Sequence, residues 1–265
     1  MEWTSGTALF LVGIVSGFIS AVAGGSNVIT FPTLQWAGIA SAVTATASNA
    51  VALIPGNPIA AYKDWGKRPS FDLPLIGLIV SAVVWGALGA KLLLLTPEAV
   101  FRLLVPALLG LATVMFAYSS RIGAWLRAKA NRLTSIVSSG AHDEMSPALL
   151  RTLLYVPVAI YGGFFGAGLG ILVLAVLSIG SSEDLRSLNV AKNIINSATT
   201  LAAAAMFVWD GAVSWPHVVC MLPGVALGGF VAGWYAQRVP AQKLRITVIA
   251  IGCTVTLGYA WRFWL

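Results

Sequence analysis

The sequence predicts an all-α integral membrane protein of two inverted repeats, each a Gly-broken helical hairpin followed by three transmembrane helices. Three observations lead there. Of 265 residues, 58% are hydrophobic and only 9% charged, whereas an ordinary soluble domain is about 25% charged. The apolar residues fall into blocks of bilayer-spanning length. The two halves also carry matching motifs in the same order.

A spanning helix takes about 20 mostly apolar residues. Eight blocks bounded by Pro, Gly and charge approach or exceed that length: 7–38, 42–61, 74–95, 101–119, 152–180, 187–208, 215–236 and 244–264. The mean hydropathy of +0.87 reflects them. Between the fourth and fifth lies the polar stretch 120–151, with Arg121, Arg127, Lys129, Arg132, His142, Asp143, Glu144 and Arg151. It is expected to be a solvated linker with a short interfacial helix over 121–133. Residues 8–23 resemble a signal peptide ending in Ala21-Val22-Ala23. The leader carries Glu2 and no Lys or Arg, however, and apolar character resumes at once, so the block is expected to stay in the mature protein.

Blocks 7–38 and 152–180 are each too long for one helix and too short for two full spans. Gly24-Gly25-Ser26-Asn27 interrupts the first; Gly162-Gly163, Gly166, Gly168 and Gly170 interrupt the second. Each is either one long kinked helix or a hairpin returning to its own side. Placing the Arg-rich linker in the cytoplasm decides for the second block. With a hairpin there, Lys63, Lys67, Arg68, Arg238, Lys243 and Arg245 all fall inside; with a full crossing the last three would face out. By symmetry the first block is expected to be a hairpin entering from outside. Trp36, Trp65, Trp209, Trp215, Trp261 and Trp264 lie near block ends, where amphipathic rings favour the interface.

Internal similarity sets the architecture. Gly17-Phe18-Ile19-Ser20-Ala21 matches Gly163-Phe164-Phe165-Gly166-Ala167 at a spacing of 146 residues. Asn49 pairs with Asn193 and Gly89 with Gly233 at 144, and Pro97 with Pro240 at 143, where Phe101-Arg102 faces Leu244-Arg245. Three spans after each hairpin is an odd number, so the second copy must lie upside down relative to the first. The expected organisation is a first repeat over 1–119, a cytoplasmic linker over 120–151 and a second, inverted repeat over 152–265.

Several function classes are excluded. Cys220 and Cys253 lack CxxC spacing and have only His142 and His217 as company, so no zinc site is legible. The formal charge of +7 is spread over short loops, which points to membrane orientation rather than nucleic acid. All nine acidic residues lie outside the expected spans. Intramembrane carboxylates mark cation paths and proton relays, so a cation transporter and a carboxylate protease are disfavoured. An enzyme would need a nucleophile–base pair or metal cluster, and none is evident. No cofactor is expected.

The stretch 189–200 carries the chemistry. On a helix Asn189, Lys192, Asn193, Asn196 and Thr200 share one face. Buried amides left unpaired cost about 1–3 kcal/mol each, so this face must meet a partner helix, water or a ligand. A lining of amides and one lysine suits an anion; alternatively Lys192 snorkels to the cytoplasm while the amides bridge helices. Block 42–61 carries the counterpart stripe Ser41, Thr44, Ser48 and Asn49, then Pro55-Gly56-Asn57-Pro58, where the prolines are expected to kink or break the helix. The glycine breaks supply the rest. Gly24, Gly25 and Ser26 precede a helix starting near Asn27, and Gly166, Gly168 and Gly170 precede another. Free N–H groups at helix starts attract negative oxygens, and glycine lets them come close.

Ser16-Gly17-Phe18-Ile19-Ser20-Ala21-Val22-Ala23-Gly24-Gly25, Ala45-Thr46-Ala47-Ser48-Asn49-Ala50, Tyr161-Gly162-Gly163-Phe164-Phe165-Gly166-Ala167-Gly168-Leu169-Gly170 and Ala191-Lys192-Asn193 together resemble the TauE/SafE family of membrane permeases. The resemblance covers nearly the whole chain. It implies export or uptake of sulfur-containing anions such as sulfite, sulfoacetate or other organosulfonates. The expectation is therefore a multi-pass inner-membrane transporter working by alternating access. Its partners are a small-molecule anion and the lipid bilayer, with no nucleic acid, and a homodimer is left open. The expected substrate-binding set is Gly24, Gly25, Ser26, Asn27, Ser48, Asn49, Gly166, Gly168, Gly170, Asn189, Lys192, Asn193 and Asn196. A non-transporting anion sensor or assembly subunit of the same fold is the alternative.

Overall fold

The computed structural model describes residues 3–23, 25–119, 121, 147–179, 181, 183–235 and 241–264. Eleven α-helices lie among them: α1 Trp3–Ala23, α2 Asn27–Trp36, α3 Ala42–Ala52, α4 Gly56–Lys63, α5 Leu73–Leu95, α6 Glu98–Ala117, α7 Pro147–Phe164, α8 Leu169–Leu177, α9 Leu185–Trp209, α10 Trp215–Tyr235 and α11 Ala241–Trp264. The described residues contain no strand, and the chain is an all-α multi-pass membrane protein. Stretches of α1, α5, α6, α10 and α11 are long and apolar enough to cross a bilayer. Helix α9, at 25 residues, is about 37 Å long, but its amide-and-lysine stripe lowers its hydropathy. The expected interfacial helix at 121–133 falls almost wholly outside the described residues.

Local chemistry sets the helix ends. The side chains of Ser41, Asp72 and Asp184 accept from the N–H groups of Thr44, Leu75 and Ser187, capping α3, α5 and α9. Block 42–61 divides: α3 stops at Ala52, and Leu53 to Pro55 form a turn before α4. Proline has no N–H and its ring clashes with the preceding helical turn. Gly166 (φ 72°) and Gly168 (φ 77°) separate α7 from α8 in the left-handed region, where only glycine rests without strain.

Two pairs of helices double back. Arg151 Nε, near the start of α7, donates to Ile179 O, just past α8, at 2.6 Å. Residue 179 therefore returns to the end at which α7 began. At the other pair, Ala37 O, just past α2, meets His217 Nε2 of α10 at 3.2 Å, and Gly6 near the start of α1 sits beside Cys220, also of α10. Nearby, Glu98 at the head of α6 accepts from Ser41 Oγ (2.8 Å), Ala42 N (2.6 Å) and Arg102 Nε (2.8 Å), tying α3 to α6.

The tightest packing follows small residues. Helix α1 runs along α10 with backbones in contact: a Cβ at Gly17 would strike Val225 O, and one at Gly228 would strike Ile14 O. Helix α5 meets α7 in the same manner, with Gly163 on Gly86 O and Gly89 on Ile160 O. Such seams replace the hydrophobic drive that lipid removes. Replacing Gly163 with Leu should lower the melting temperature in detergent, since overpacking costs about 1–3 kcal/mol. Gly77→Leu, at a glycine with open space around it, should leave the melting temperature unchanged; equal shifts would refute the seam.

Candidate functional site

The two helix breaks face one another inside the bundle. Asn27 Nδ2, at the start of α2, donates to Phe165 O, in the turn between α7 and α8, at 2.6 Å. Phe31 of α2 packs edge-to-face on the Phe165 ring, with centroids 5.8 Å apart. The approach depends on Gly166, where a Cβ would lie 2.8 Å from Gly162 O and 3.3 Å from Asn27 Nδ2. On the other side, Gly25 is covered by the Phe116 ring so closely that any side chain would displace it.

A cavity opens between these breaks and the helices behind them. Ser20, Gly25, Ser26 and Asn27 line it from the first pair, and Gly162, Gly163, Phe165, Gly166 and Leu169 from the second. Thr46, Ala50, Leu53 and Asn57 come from α3, α4 and their turn, and Asn196, Thr200, Ala203 and Phe207 from α9. Among the described residues, no charged side chain lines it. Its polar groups are hydroxyls, amides and backbone. Some are occupied: Ser20 Oγ donates to Asn57 Oδ1 at 3.3 Å, and Thr46 Oγ1 to Ala42 O at 3.0 Å. Two are not. Ser26 Oγ and Asn196 Oδ1 are buried with no hydrogen-bond partner. Unmet polar atoms beside a cavity are places for a ligand or water.

The structure brings Gly25, Ser26, Asn27, Gly166 and Asn196 of the expected set onto the cavity wall. Others are not among its lining residues. Gly168 is the N-cap of α8 and Gly170 is buried in its first turn. Asn49 of α3 and Asn193 of α9 are each 1% exposed, with unpartnered side-chain oxygens. Ser48 Oγ accepts from Ser214 N at 2.8 Å. Asn189 is half-buried, two turns from Asn196 towards the start of α9. Gly24 lies outside the described residues.

Lys192 does not snorkel. It is 1% exposed, and its Nζ donates to Ala21 O at 3.1 Å and reaches Val22 O at 3.5 Å. Nζ thus caps the carbonyl end of α1, just before the break, where partial negative charge gathers. Ser20, Thr46, Asn57 and Thr200 join the cavity without having been placed in the expected set. Thr200 was legible as the next turn of the α9 stripe. Asn57 stood inside the Pro55–Pro58 cluster.

A family model described as "Sulfite exporter TauE/SafE" matches residues 9–259. Among curated relatives, "Probable membrane transporter protein" of Haemophilus influenzae is 28% identical over 222 residues, covering 83% of this chain and 80% of the relative. "Probable membrane transporter protein ORF9" of a Sinorhizobium species is 23% identical, covering 97% and 95%. "Probable membrane transporter protein YfcA" of Escherichia coli K12 is 24% identical, covering 83% and 76%. No solved structure matches the chain. With the match spanning nearly its full length, the chain belongs to the TauE/SafE sulfite exporter family of membrane transporters.

Proposed function

We propose that this transporter exports small sulfur-containing anions, such as sulfite, sulfoacetate or other organosulfonates, across the bacterial inner membrane. The observation that carries the reading is the meeting of two helix breaks at a cavity with neutral donors and unpartnered Ser26 and Asn196 groups. An anion there would take hydrogen bonds from the Ser26 hydroxyl, the Asn196 amide turned NH2-inward, and backbone N–H groups at the starts of α2 and α8. Both helix dipoles would favour its charge. Asn49, Asn193 and Lys192 would support it from behind. Gly168 and Gly170 would hold the shape of the second break.

Residues 1–119 and 152–265 would then act as two inverted repeats joined by a cytoplasmic linker at 120–151. Two facts support this reading. The α1–α10 seam has its counterpart in the α5–α7 seam. The two doubled-back pairs also return at different elements, one beside α10 and one at the head of α7. Alternating access would come from one repeat rocking against the other about the cavity.

Three outcomes follow. Ser26→Ala and Asn196→Leu should each weaken sulfite binding by about tenfold or more in detergent, since a hydrogen bond to a charged group contributes about 1.5–3 kcal/mol. Unchanged affinity in both would reject the site. Gly166→Ala should abolish binding and lower thermal stability, because a left-handed φ costs about 1–2 kcal/mol in a residue with a Cβ and that Cβ would press on Asn27; normal binding would show that the contact between the breaks is dispensable. In proteoliposomes, purified protein should carry sulfite down its gradient, whereas binding without net movement would favour a sensor.

A further inference from the structure

Lys192 is the one charged side chain buried in the bundle among the described residues. Its partners are the carbonyls of Ala21 and Val22. An ion pair of Arg102 with Glu98 stands apart from it, at the head of α6. Among the described residues, the ionisable groups on elements packed against α9 stand elsewhere. Asp64 and Arg68 follow α4, and Asp72 precedes α5. Lys91 is exposed near the end of α5, and Arg151 bonds Ile179 O. Tyr62 is exposed, Tyr155 bonds Thr199, and Tyr161 donates to Ala167 O.

Lys192 nevertheless adjoins the cavity. Asn196, one helical turn further along the same face of α9, lines it, and so does Thr200 a turn beyond. The carbonyls that Lys192 holds lie in sequence between the cavity-lining Ser20 and Gly25. A charge at Nζ would act on an anion in the cavity through the protein interior, where Coulomb forces are stronger than in water.

Resting on the anion-transport reading above, we propose that Lys192 is a proton-binding site coupled to the substrate, so that each anion travels with one proton carried on Nζ. The amine lone pair takes a proton from water on the loading side, forming the ammonium. On the releasing side that N–H bond breaks and the proton returns to water, leaving the neutral amine for the empty return. No electron transfer is involved. An ammonium held by two carbonyls alone keeps much of its dehydration uncompensated, and an anion beside it offsets that cost. Binding linkage is reciprocal, so a site that takes the anion more tightly when charged also takes the proton more tightly when loaded. A guanidinium, which does not give up its proton, could not serve.

The test uses the full chain in proteoliposomes with a pH-sensitive dye inside and the membrane potential clamped. The probe is methanesulfonate, which stays ionised throughout the working pH range. The wild type should acidify the lumen as methanesulfonate enters, by one proton per anion, with an initial rate that changes little with clamp voltage. Lys192→Arg should bind the anion yet lose the acidification. Methanesulfonate entry without acidification in the wild type overturns the proposal and leaves the transport reading standing. If sulfite moves and methanesulfonate does not, protons are counted per sulfite: wild type exceeding Lys192→Arg by one supports the proposal, and equal counts overturn it. Absence of flux for both anions overturns the transport reading, and the proposal with it.

Discussion

A helix interrupted within a bilayer frees peptide groups that lipid cannot satisfy, and this constraint governs the molecule. Both interruptions are resolved from within. Asn27 reaches across to Phe165 O, Tyr161 OH donates to Ala167 O inside its own turn, and Lys192 takes the carbonyl end of α1. The carbonyls of Phe165, Ala167 and Ala21 each find a side-chain donor in this way. The N–H groups at the starts of α2 and α8 have no comparable side-chain acceptors: Ser26 and Gly168 cap these helices without a side-chain bond. These N–H groups and the Ser26 hydroxyl can donate to an anion, whereas the unpartnered Asn196 Oδ1 is an acceptor, so Asn196 would donate only with its amide turned.

The glycine seams make that arrangement possible. Backbone contact between α1 and α10, and between α5 and α7, brings the interrupted pairs close enough for one amide to bridge them. Larger residues at Gly17 or Gly163 would push the helices apart by the width of a side chain and open the space between the breaks. Glu98 performs a different service at the head of α6, holding the first N–H groups of α3 and the Arg102 side chain. Helix α3, which contributes Thr46 and Ala50 to the cavity, is therefore fixed at one end by a single carboxylate.

Much of this was legible in the sequence, for physical reasons. A bilayer demands long apolar runs, so the spans stood out, and glycine clusters inside two overlong blocks marked where the helices would break. Three amides and a lysine in an apolar helix marked α9, because such residues are too costly in lipid to lack a partner. The destinations of those side chains were not legible. Lys192 was compatible with snorkelling or with a buried role, and its turn onto Ala21 and Val22 depends on where α1 ends relative to α9. Asn49 and Asn193 matched as repeat mates, yet neither is among the residues lining the cavity, since periodicity gives a shared face and not its rotation. Ser20 and Asn57 were hidden because their pairing joins α1 to α4 across a contact that spacing alone does not encode.

The polar stripe of α9 also bears on how the protein is made. Presented singly to lipid by the insertion machinery, Asn189, Lys192, Asn193 and Asn196 would disfavour release from the translocon, on scales where a central lysine alone is worth about 2.5–3.5 kcal/mol. The elements that shield this face, among them α5, α7 and the end of α1, are synthesised earlier. Biogenesis of the second half is thus bound to the first: α9 settles in the membrane only once its predecessors offer it a surface.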